Sequence, residues 1–196
     1  MDTPQPILSR RFEDALIYAA KLHAQQIRKG SMVPYIAHLL GVASIVLEYG
    51  GDEDEAIAAL LHDSIEDQGG DTVRQEIRRR FGERVAAIVD GCTDTDVQPK
   101  PPWRQRKEAY IAHIQDAAPS VRLVSVADKL HNAQTILKDY RSVEDAIWER
   151  FKGGKEGTLW YYRSLVTEFR ATGPSPLVDE LDRVVKEIER LVMRIS

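Results

Sequence analysis

The residues best suited to chemistry lie in one short stretch, 58–67, which reads Ala-Ala-Leu-Leu-His62-Asp63-Ser-Ile-Glu66-Asp67. In a helix, residues four apart share a face, so we expect His62 to lie over Glu66 and Asp63 over Asp67. Three carboxylates so close together repel one another unless a cation compensates their charge. The stretch therefore predicts a bound divalent metal. The alternative interpretation is an acidic helix end that faces solvent.

Residues elsewhere in the chain extend this stretch to a predicted set of four metal ligands: His38, His62, Asp63 and Asp128. Asp128 lies in an apolar segment, where an unpaired carboxylate is costly to bury, so it needs either a cation or an exposed position. His131, three residues further on, is the alternative ligand from that segment. Imidazole and carboxylate ligands together favour Mn²⁺, Fe²⁺ or Zn²⁺ over Ca²⁺. Such a metal lowers the pKa of a bound water and so supplies a nucleophile near neutral pH.

The composition narrows the class of protein. The chain has 196 residues, 43% of them hydrophobic, which suits one domain with a real core. A net charge of −4 argues against a nucleic-acid coat protein, and the single Cys92 leaves neither an intrachain disulfide nor a cysteine-based zinc site. The first six residues do not begin a secretory signal, and no apolar run approaches the roughly 20 residues of a membrane span. We therefore expect a cytoplasmic protein with neither nucleic-acid nor membrane partners.

The periodicity of apolar residues predicts an all-α fold of about eight to ten helices. Asp52 and Glu55 have the residue types and the spacing of a capping box. The glycines at 153, 154 and 157 are typical of a linker. The amphipathic last helix is expected to pack on the body of the protein or on a second subunit, so a homo-oligomer is one expectation. We predict one domain, 1–196, with 156–196 a C-terminal helical pair packed on it. The predicted helices span 8–27, 38–49, 53–67, 72–81, 83–92, 103–115, 119–137, 142–148, 158–170 and 176–194.

Three blocks of sequence carry a resemblance to a known family: residues 28–38, 60–67 and 126–132. They resemble the HD-domain metal phosphohydrolases. More narrowly they resemble the (p)ppGpp hydrolases, both the hydrolase domain of Rel/SpoT enzymes and the stand-alone small alarmone hydrolases. The resemblance covers roughly residues 10–170. It implies an HD-domain helical bundle, a divalent metal that is usually Mn²⁺, with Fe²⁺, Zn²⁺ and Mg²⁺ as alternatives, and a small-molecule nucleotide substrate.

The same resemblance implies roles for single residues. His38, His62, Asp63 and Asp128 match the metal ligands, whereas Glu66 and Asp67 match the acids that orient or deprotonate the attacking water. Arg28 and Lys29 match a basic pair near the nucleotide phosphates, and Asn132 matches a polar residue of the pocket. Leu39 follows His38 where the family commonly has a proline. The implied reaction releases pyrophosphate from the 3′ position of ppGpp or pppGpp and leaves GDP or GTP.

Two segments suit the binding of a nucleotide polyphosphate. The basic residues Lys100, Arg104, Arg106 and Lys107 could neutralise phosphates, and Tyr161 or Trp160 could stack on a base. The alternatives are a solvated basic helix face and an aromatic core. Two other functions stay open: hydrolysis of another nucleotide, such as an adenosine 3′-pyrophosphate, NADPH or a deoxynucleotide, and a non-catalytic nucleotide-binding module. The intact set of acids and histidines speaks against the second.

Overall fold

The computed structural model describes residues 7–95 and 99–195. The first six residues, on which the signal-peptide expectation depended, lie outside that part of the chain, as do residues 96–98 between the predicted helices 83–92 and 103–115. The described residues form ten α-helices and one 3-10 helix, and their only β-type pairing is an isolated bridge between Ile27 and Pro34. The all-α prediction is therefore confirmed. The chain divides into two compact units, one ending at Thr93 and one beginning at Asp94, and the single domain 1–196 stays a prediction.

The first unit contains six helices built around a buried central one. The central helix α3 packs against α1, α2 and α6. All of its residues from Ala56 to Leu61 are buried, and three of these six are alanines, which let neighbouring helices approach closely. The capping box of Asp52 and Glu55 is present, as predicted. The six helices are α1 (Arg10–Leu22), α2 (Ile36–Glu48), α3 (Glu53–Leu61), α4 (Ser64–Gln68), α5 (Gly70–Phe81) and α6 (Glu83–Cys92).

The predicted helix 53–67 is wrong in one respect, because it is two helices. α3 ends at Leu61 and α4 begins at Ser64, so His62 and Asp63 form the junction between them. Asp63 has φ −95° and ψ −2°, a backbone conformation at the edge of the helical region. The two residues with the clearest metal chemistry therefore lie at a helix end.

The predicted helix 8–27 is too long. α1 ends at Leu22, and the chain turns back on itself after His23. The N–H of Arg28 donates to the carbonyl of Val33 at 2.8 Å, and the N–H of Tyr35 donates to the carbonyl of Gln26 at 2.9 Å. This small hairpin joins α1 to α2.

The second unit is built around the long helix α8. It contains ten buried residues and begins at Pro119, a proline in the first turn where its missing N–H costs nothing. α10 packs against both α8 and α9. The unit contains α7 (Trp103–His113), α8 (Pro119–Val143), a 3-10 helix (Glu144–Arg150), α9 (Gly154–Ala171) and α10 (Pro176–Ile195).

The glycines at 153, 154 and 157 do not form a linker, which corrects the sequence interpretation. Gly154 opens α9, and Gly153 and Gly157 lie against the side chain of Trp103. A Cβ at Gly153 would lie 2.6 Å from the indole. Gly153 and Gly157 therefore allow close packing between α7 and α9.

Two predicted helix starts are also wrong. α5 begins at Gly70, two residues before the predicted start, and has no side-chain cap. The segment after α8 is a 3-10 helix that begins at Glu144 rather than at residue 142, and Asp145 accepts a hydrogen bond from the indole N–H of Trp148 at 3.0 Å. No helix in the described part of the chain is both long and apolar enough to cross a membrane.

Candidate active site

His62 is held in one tautomer by the backbone of its own helix. It is 3% exposed, and its Nδ1 lies 2.8 Å from the carbonyl oxygen of Ala59. Since a carbonyl can only accept, Nδ1 carries the proton. The Nε2 of a neutral His62 therefore presents a lone pair, the arrangement common in metal-ligating histidines.

Three predicted ligands of the first unit lie together. The Nε2 of His62 is 3.0 Å from Oδ2 of Asp63, and the Nε2 of the buried His38 is 3.7 Å from the same oxygen. The two imidazole rings meet edge to face, with centroids 5.2 Å apart. A lone pair facing a carboxylate oxygen at 3.0 Å requires a proton or a metal cation between them. The donor set of two imidazoles and a carboxylate fits a divalent transition metal.

Asp63 is oriented by a tyrosine. The hydroxyl of Tyr35 donates to Oδ2 of Asp63 at 2.5 Å, and the Tyr35 ring also lies edge-on to His38. The residue at the start of α2 thus touches two predicted ligands. Hydrogen bonds of this kind fix the orientation of a ligand before any metal binds.

The predicted acids follow on α4. Glu66 is partly exposed and Asp67 is exposed, one turn after the junction that carries His62 and Asp63. The N–H of Asp67 donates to the carbonyl of Asp63 at 3.0 Å. The Asp67 carboxylate accepts a hydrogen bond from Nε2 of Gln26 at 2.8 Å. Both acids therefore lie in the same short segment as two of the ligands.

Asp128, the fourth predicted ligand, belongs to the second unit. It is 6% exposed in the middle of α8. Its carboxylate accepts hydrogen bonds from Nζ of Lys129 and from Nδ2 of Asn132, each at 2.5 Å. A protein cation and an amide thus compensate its burial, whereas the sequence interpretation required either a cation or an exposed position. Asn132, predicted to line the pocket, donates this hydrogen bond to Asp128, a predicted ligand.

Lys129 is partly buried beside Asp128. Burial disfavours the ammonium form, but the Asp128 carboxylate, with Tyr110 and Tyr161, outweighs burial and raises the pKa of Lys129 well above its ordinary value. The ammonium also lies over the ring of Tyr110, 4.8 Å from its centroid. His131, the alternative ligand, is partly buried one residue before Asn132.

The predicted basic pair lies in the hairpin after α1. Arg28 is partly buried, with its guanidinium 5.7 Å from the centroid of Tyr35, and Lys29 is exposed. Tyr35 thereby links Arg28 to Asp63.

The predicted phosphate-binding residues of the second unit have protein partners. Lys100 is exposed, and Nε of Arg104 donates to Glu108 at 2.7 Å while its guanidinium stacks on Trp160, 3.2 Å from the ring centroid. Arg106 and Lys107 both donate to Asp94.

Tyr161 is buried, with one edge of its ring against Trp103. Lys107 lies 5.0 Å from the centre of the Tyr161 ring. Burial raises the pKa of Tyr161 well above its ordinary value, so its hydroxyl remains a donor. Within the described residues this hydroxyl has no hydrogen-bond partner.

Sequence reasoning missed Gln26 and Tyr35, which contact predicted site residues, and His23, which contacts both of them. The available signal was a histidine followed three residues later by a glutamine, directly before the basic pair. That spacing does not by itself indicate which carboxylate the glutamine contacts.

The helical fold and the adjacent His-Asp pair define a class of protein. The family described as "HD domain" matches residues 15–159. The chain belongs to the HD-domain family, which implies a divalent metal.

Several relatives are named for the same enzymatic activity. The chain is 40% identical over 126 residues to the guanosine-3′,5′-bis(diphosphate) 3′-pyrophosphohydrolase MESH1 of Xenopus tropicalis, covering 63% of this chain and 68% of that protein. It is 37% identical to the human MESH1 with the same coverage. A similarly named enzyme of Aquifex aeolicus is 38% identical over 133 residues, which cover 67% of this chain and 18% of that protein.

Solved structures agree with the fold. One, from a study titled as showing that a metazoan orthologue of SpoT hydrolyses ppGpp, has a TM-score of 0.77 at 26% identity and covers 97% of this chain and 99% of that one. A Listeria monocytogenes protein has a TM-score of 0.68 at 30% identity, over 77% of this chain and 97% of that one. The predicted resemblance to (p)ppGpp hydrolases is confirmed.

Proposed function

We propose that this protein is a metal-dependent pyrophosphohydrolase that removes the 3′-pyrophosphate of ppGpp and pppGpp, giving GDP or GTP. The observation that carries the proposal is the buried pair of histidines around Asp63, directly followed by two acids, in a chain 40% identical to a MESH1 enzyme. We propose that the protein acts in the cytoplasm, as part of the stringent response. Its assembly into a homo-oligomer stays a prediction.

The proposed metal ligands are His38, His62 and Asp63 of the first unit, with Asp128 of the second. His38, His62 and Asp128 are all buried and offer the nitrogen and oxygen atoms that a divalent metal binds. Mn²⁺ is the metal we propose. When bound, such a metal supplies charge stabilisation and a water of lowered pKa.

The acids of α4 act on protons in this proposal. The oxygen of the attacking water forms a bond to the phosphorus attached to the ribose 3′ oxygen. The bond between that phosphorus and the 3′ oxygen breaks, and pyrophosphate leaves. Glu66 and Asp67 orient the water and accept its proton, while the ribose 3′ oxygen gains a proton and becomes a hydroxyl.

Substrate contacts come from both units in this proposal. Arg28 and Lys29 meet phosphate oxygens as charge-assisted donors, and Asn132 holds Asp128 at the edge of the pocket. Lys100 and Arg104 are the proposed phosphate contacts of the second unit. Tyr161 is buried, so we assign it a hydrogen bond from its hydroxyl rather than stacking on the base.

The test is a turnover assay with purified protein, Mn²⁺ and ppGpp. We expect release of pyrophosphate and GDP, with no turnover in the His62→Ala, Asp63→Ala double variant. Turnover of the wild type no greater than that of the double variant would defeat the substrate assignment. A parallel panel with an adenosine 3′-pyrophosphate, NADPH and deoxynucleotides distinguishes ppGpp from the other nucleotides of the sequence analysis.

A further inference from the structure

A hydrogen-bonded network within the first unit ends on the carboxylate of Asp67. Gln26 lies in the hairpin after α1, and its side-chain Nε2 donates to Oδ2 of Asp67 at 2.8 Å. The two residues are 41 positions apart in the sequence. Asp67 itself is exposed, so this bond restricts a side chain that solvent would otherwise leave free to change rotamer.

The donor and the acceptor of each hydrogen bond in the network can be assigned. Because a carboxylate only accepts, the amide nitrogen of Gln26 must face Asp67, which leaves its Oε1 pointing the other way. That oxygen accepts from Nε2 of Gln68 at 2.5 Å and lies 2.7 Å from Nδ1 of His23. An amide oxygen cannot donate, so His23 carries its proton on Nδ1. Its Nε2 is then the acceptor toward the hydroxyl of Ser64 at 3.3 Å.

The far end of the network is fixed in the core. His23 is 2% exposed, and its ring stacks on Tyr35 with centroids 5.3 Å apart and an interplanar angle of 17°. Tyr35 in turn holds Asp63. One stack of rings, formed by the buried His23 and the partly buried Tyr35, therefore supports both a proposed metal ligand and, through Gln26, a proposed catalytic acid.

We infer that Gln26, held by His23 and Gln68, is a positioning residue that fixes Asp67 in the orientation in which it accepts the proton of the attacking water. This inference rests on the proposed function, because it takes Asp67 as a catalytic acid. Gln26 acts through Asp67. Misplacement of a reacting group by about 1 Å can cost about 100-fold in rate.

The test replaces the side-chain amide of Gln26 by an apolar group of similar size. We expect Gln26→Leu to lower kcat about 10- to 100-fold while KM, the affinity for Mn²⁺ and Tm stay close to wild type. The matched control is Gln25→Leu, since Gln25 is an exposed neighbour of the same type. A kcat of Gln26→Leu within twofold of Gln25→Leu would overturn the inference.

A second variant pair separates positioning from general damage. If Gln26 acts only through Asp67, Gln26→Leu has no further effect on kcat in an Asp67→Asn background, because the two changes remove the same function. Losses that multiply in the double variant would contradict the inference.

The network also has a readout that does not depend on activity. Long-range ¹H–¹⁵N NMR of the imidazoles reports which nitrogen carries the proton, and we expect His23 to be protonated on Nδ1 in the wild type and in Gln25→Leu but not in Gln26→Leu. If the wild type hydrolyses no nucleotide of the panel, the proposed function has failed, and this spectrum still decides whether the network exists. A wild-type His23 protonated on Nε2 would overturn it.

Discussion

At the scale of single residues, the proposed metal centre depends on side chains oriented before a metal binds. The carbonyl of Ala59 fixes the tautomer of His62, and the hydroxyl of Tyr35 fixes the carboxylate of Asp63. Such supporting hydrogen bonds are typically worth about 10- to 100-fold in metal affinity. Their loss should therefore be measurable without loss of the fold.

We predict that Tyr35→Phe raises the Kd for Mn²⁺ about 10-fold, because Asp63 loses the donor that orients it. Isothermal titration calorimetry measures the effect. Tyr49→Phe is the matched control, since Tyr49 is an exposed tyrosine at the other end of α2. Equal Kd values for the two variants would contradict this role of Tyr35.

The sequence predicted those parts of this site in which residues with suitable side-chain chemistry are also close together in the sequence. His62, Asp63, Glu66 and Asp67 are close in sequence, so a helical period is enough to predict that they lie near one another. Tyr35 and Gln26 contact them from other segments, and a single tyrosine or glutamine in a hairpin has no distinctive pattern. Their roles required the tertiary structure.

At the scale of elements, the contact of α7 with α9 depends on the absence of a side chain at Gly153. Its φ of −81° is accessible to any residue, so alanine would be tolerated there but for the indole of Trp103. We predict that Gly153→Ala lowers the free energy of unfolding by about 1–3 kcal/mol through overpacking. Chemical denaturation measures it.

A double variant supplies the control for that prediction. Trp103→Leu removes the ring that a Cβ at Gly153 would meet, so Gly153→Ala should cost much less in that background. An equal cost in both backgrounds would show that the collision is not the cause.

The second element-scale prediction concerns how α10 is held to α9. Asp182 of α10 is 2% exposed and lies within 2.8 Å of charged nitrogens of Arg163, Arg170 and Lys186. Burial disfavours its carboxylate, but the hydrogen bonds from Lys186 and Arg163 and the charge of Arg170 outweigh burial and lower the pKa of Asp182. Because the folded pKa lies below the unfolded one, its stabilisation is complete above the unfolded value and is lost as pH falls through the folded value.

We predict that Asp182→Asn lowers the free energy of unfolding at pH 7 by about 1–2 kcal/mol, a modest figure because its partners are partly solvated. The difference from wild type should shrink once pH falls below about 4, the ordinary carboxyl pKa. The control is Asp179→Asn, because Asp179 is exposed and also pairs with Arg170. This change should lower the free energy of unfolding by only a few tenths of a kcal/mol. A pH-independent difference would contradict the electrostatic account.

Element boundaries were predicted well where caps and prolines mark them, as at Asp52 and Pro119. The break at His62 and Asp63 was not predictable, because neither residue is a helix breaker by type. The glycines before α9 misled the interpretation, since a glycine that permits close packing has the same sequence signature as one in a linker.

At the scale of the whole molecule, a chain with a net charge of −4 has to bind a substrate that is itself a polyanion. In our proposal the favourable electrostatics are local and come from the metal and from cations such as Arg28 and Lys29. The sequence predicted the fold class and the family because three separated blocks match one pattern. That Asp128 joins His38, His62 and Asp63 on one metal stays a proposal, and Asp128 lies 65 residues from Asp63 along the chain.

The most direct test of this account is the binding of Mn²⁺ to wild-type protein and to Asp128→Asn, measured by calorimetry with metal analysis. Asp139→Asn, a change of the same type on the same helix, is the control. We predict one Mn²⁺ per chain in the wild type and in Asp139→Asn, and an affinity at least about 10-fold weaker in Asp128→Asn, because the metal loses an anionic ligand. Equal affinity in the two variants would contradict the claim that Asp128 is a ligand of the metal bound by His38, His62 and Asp63.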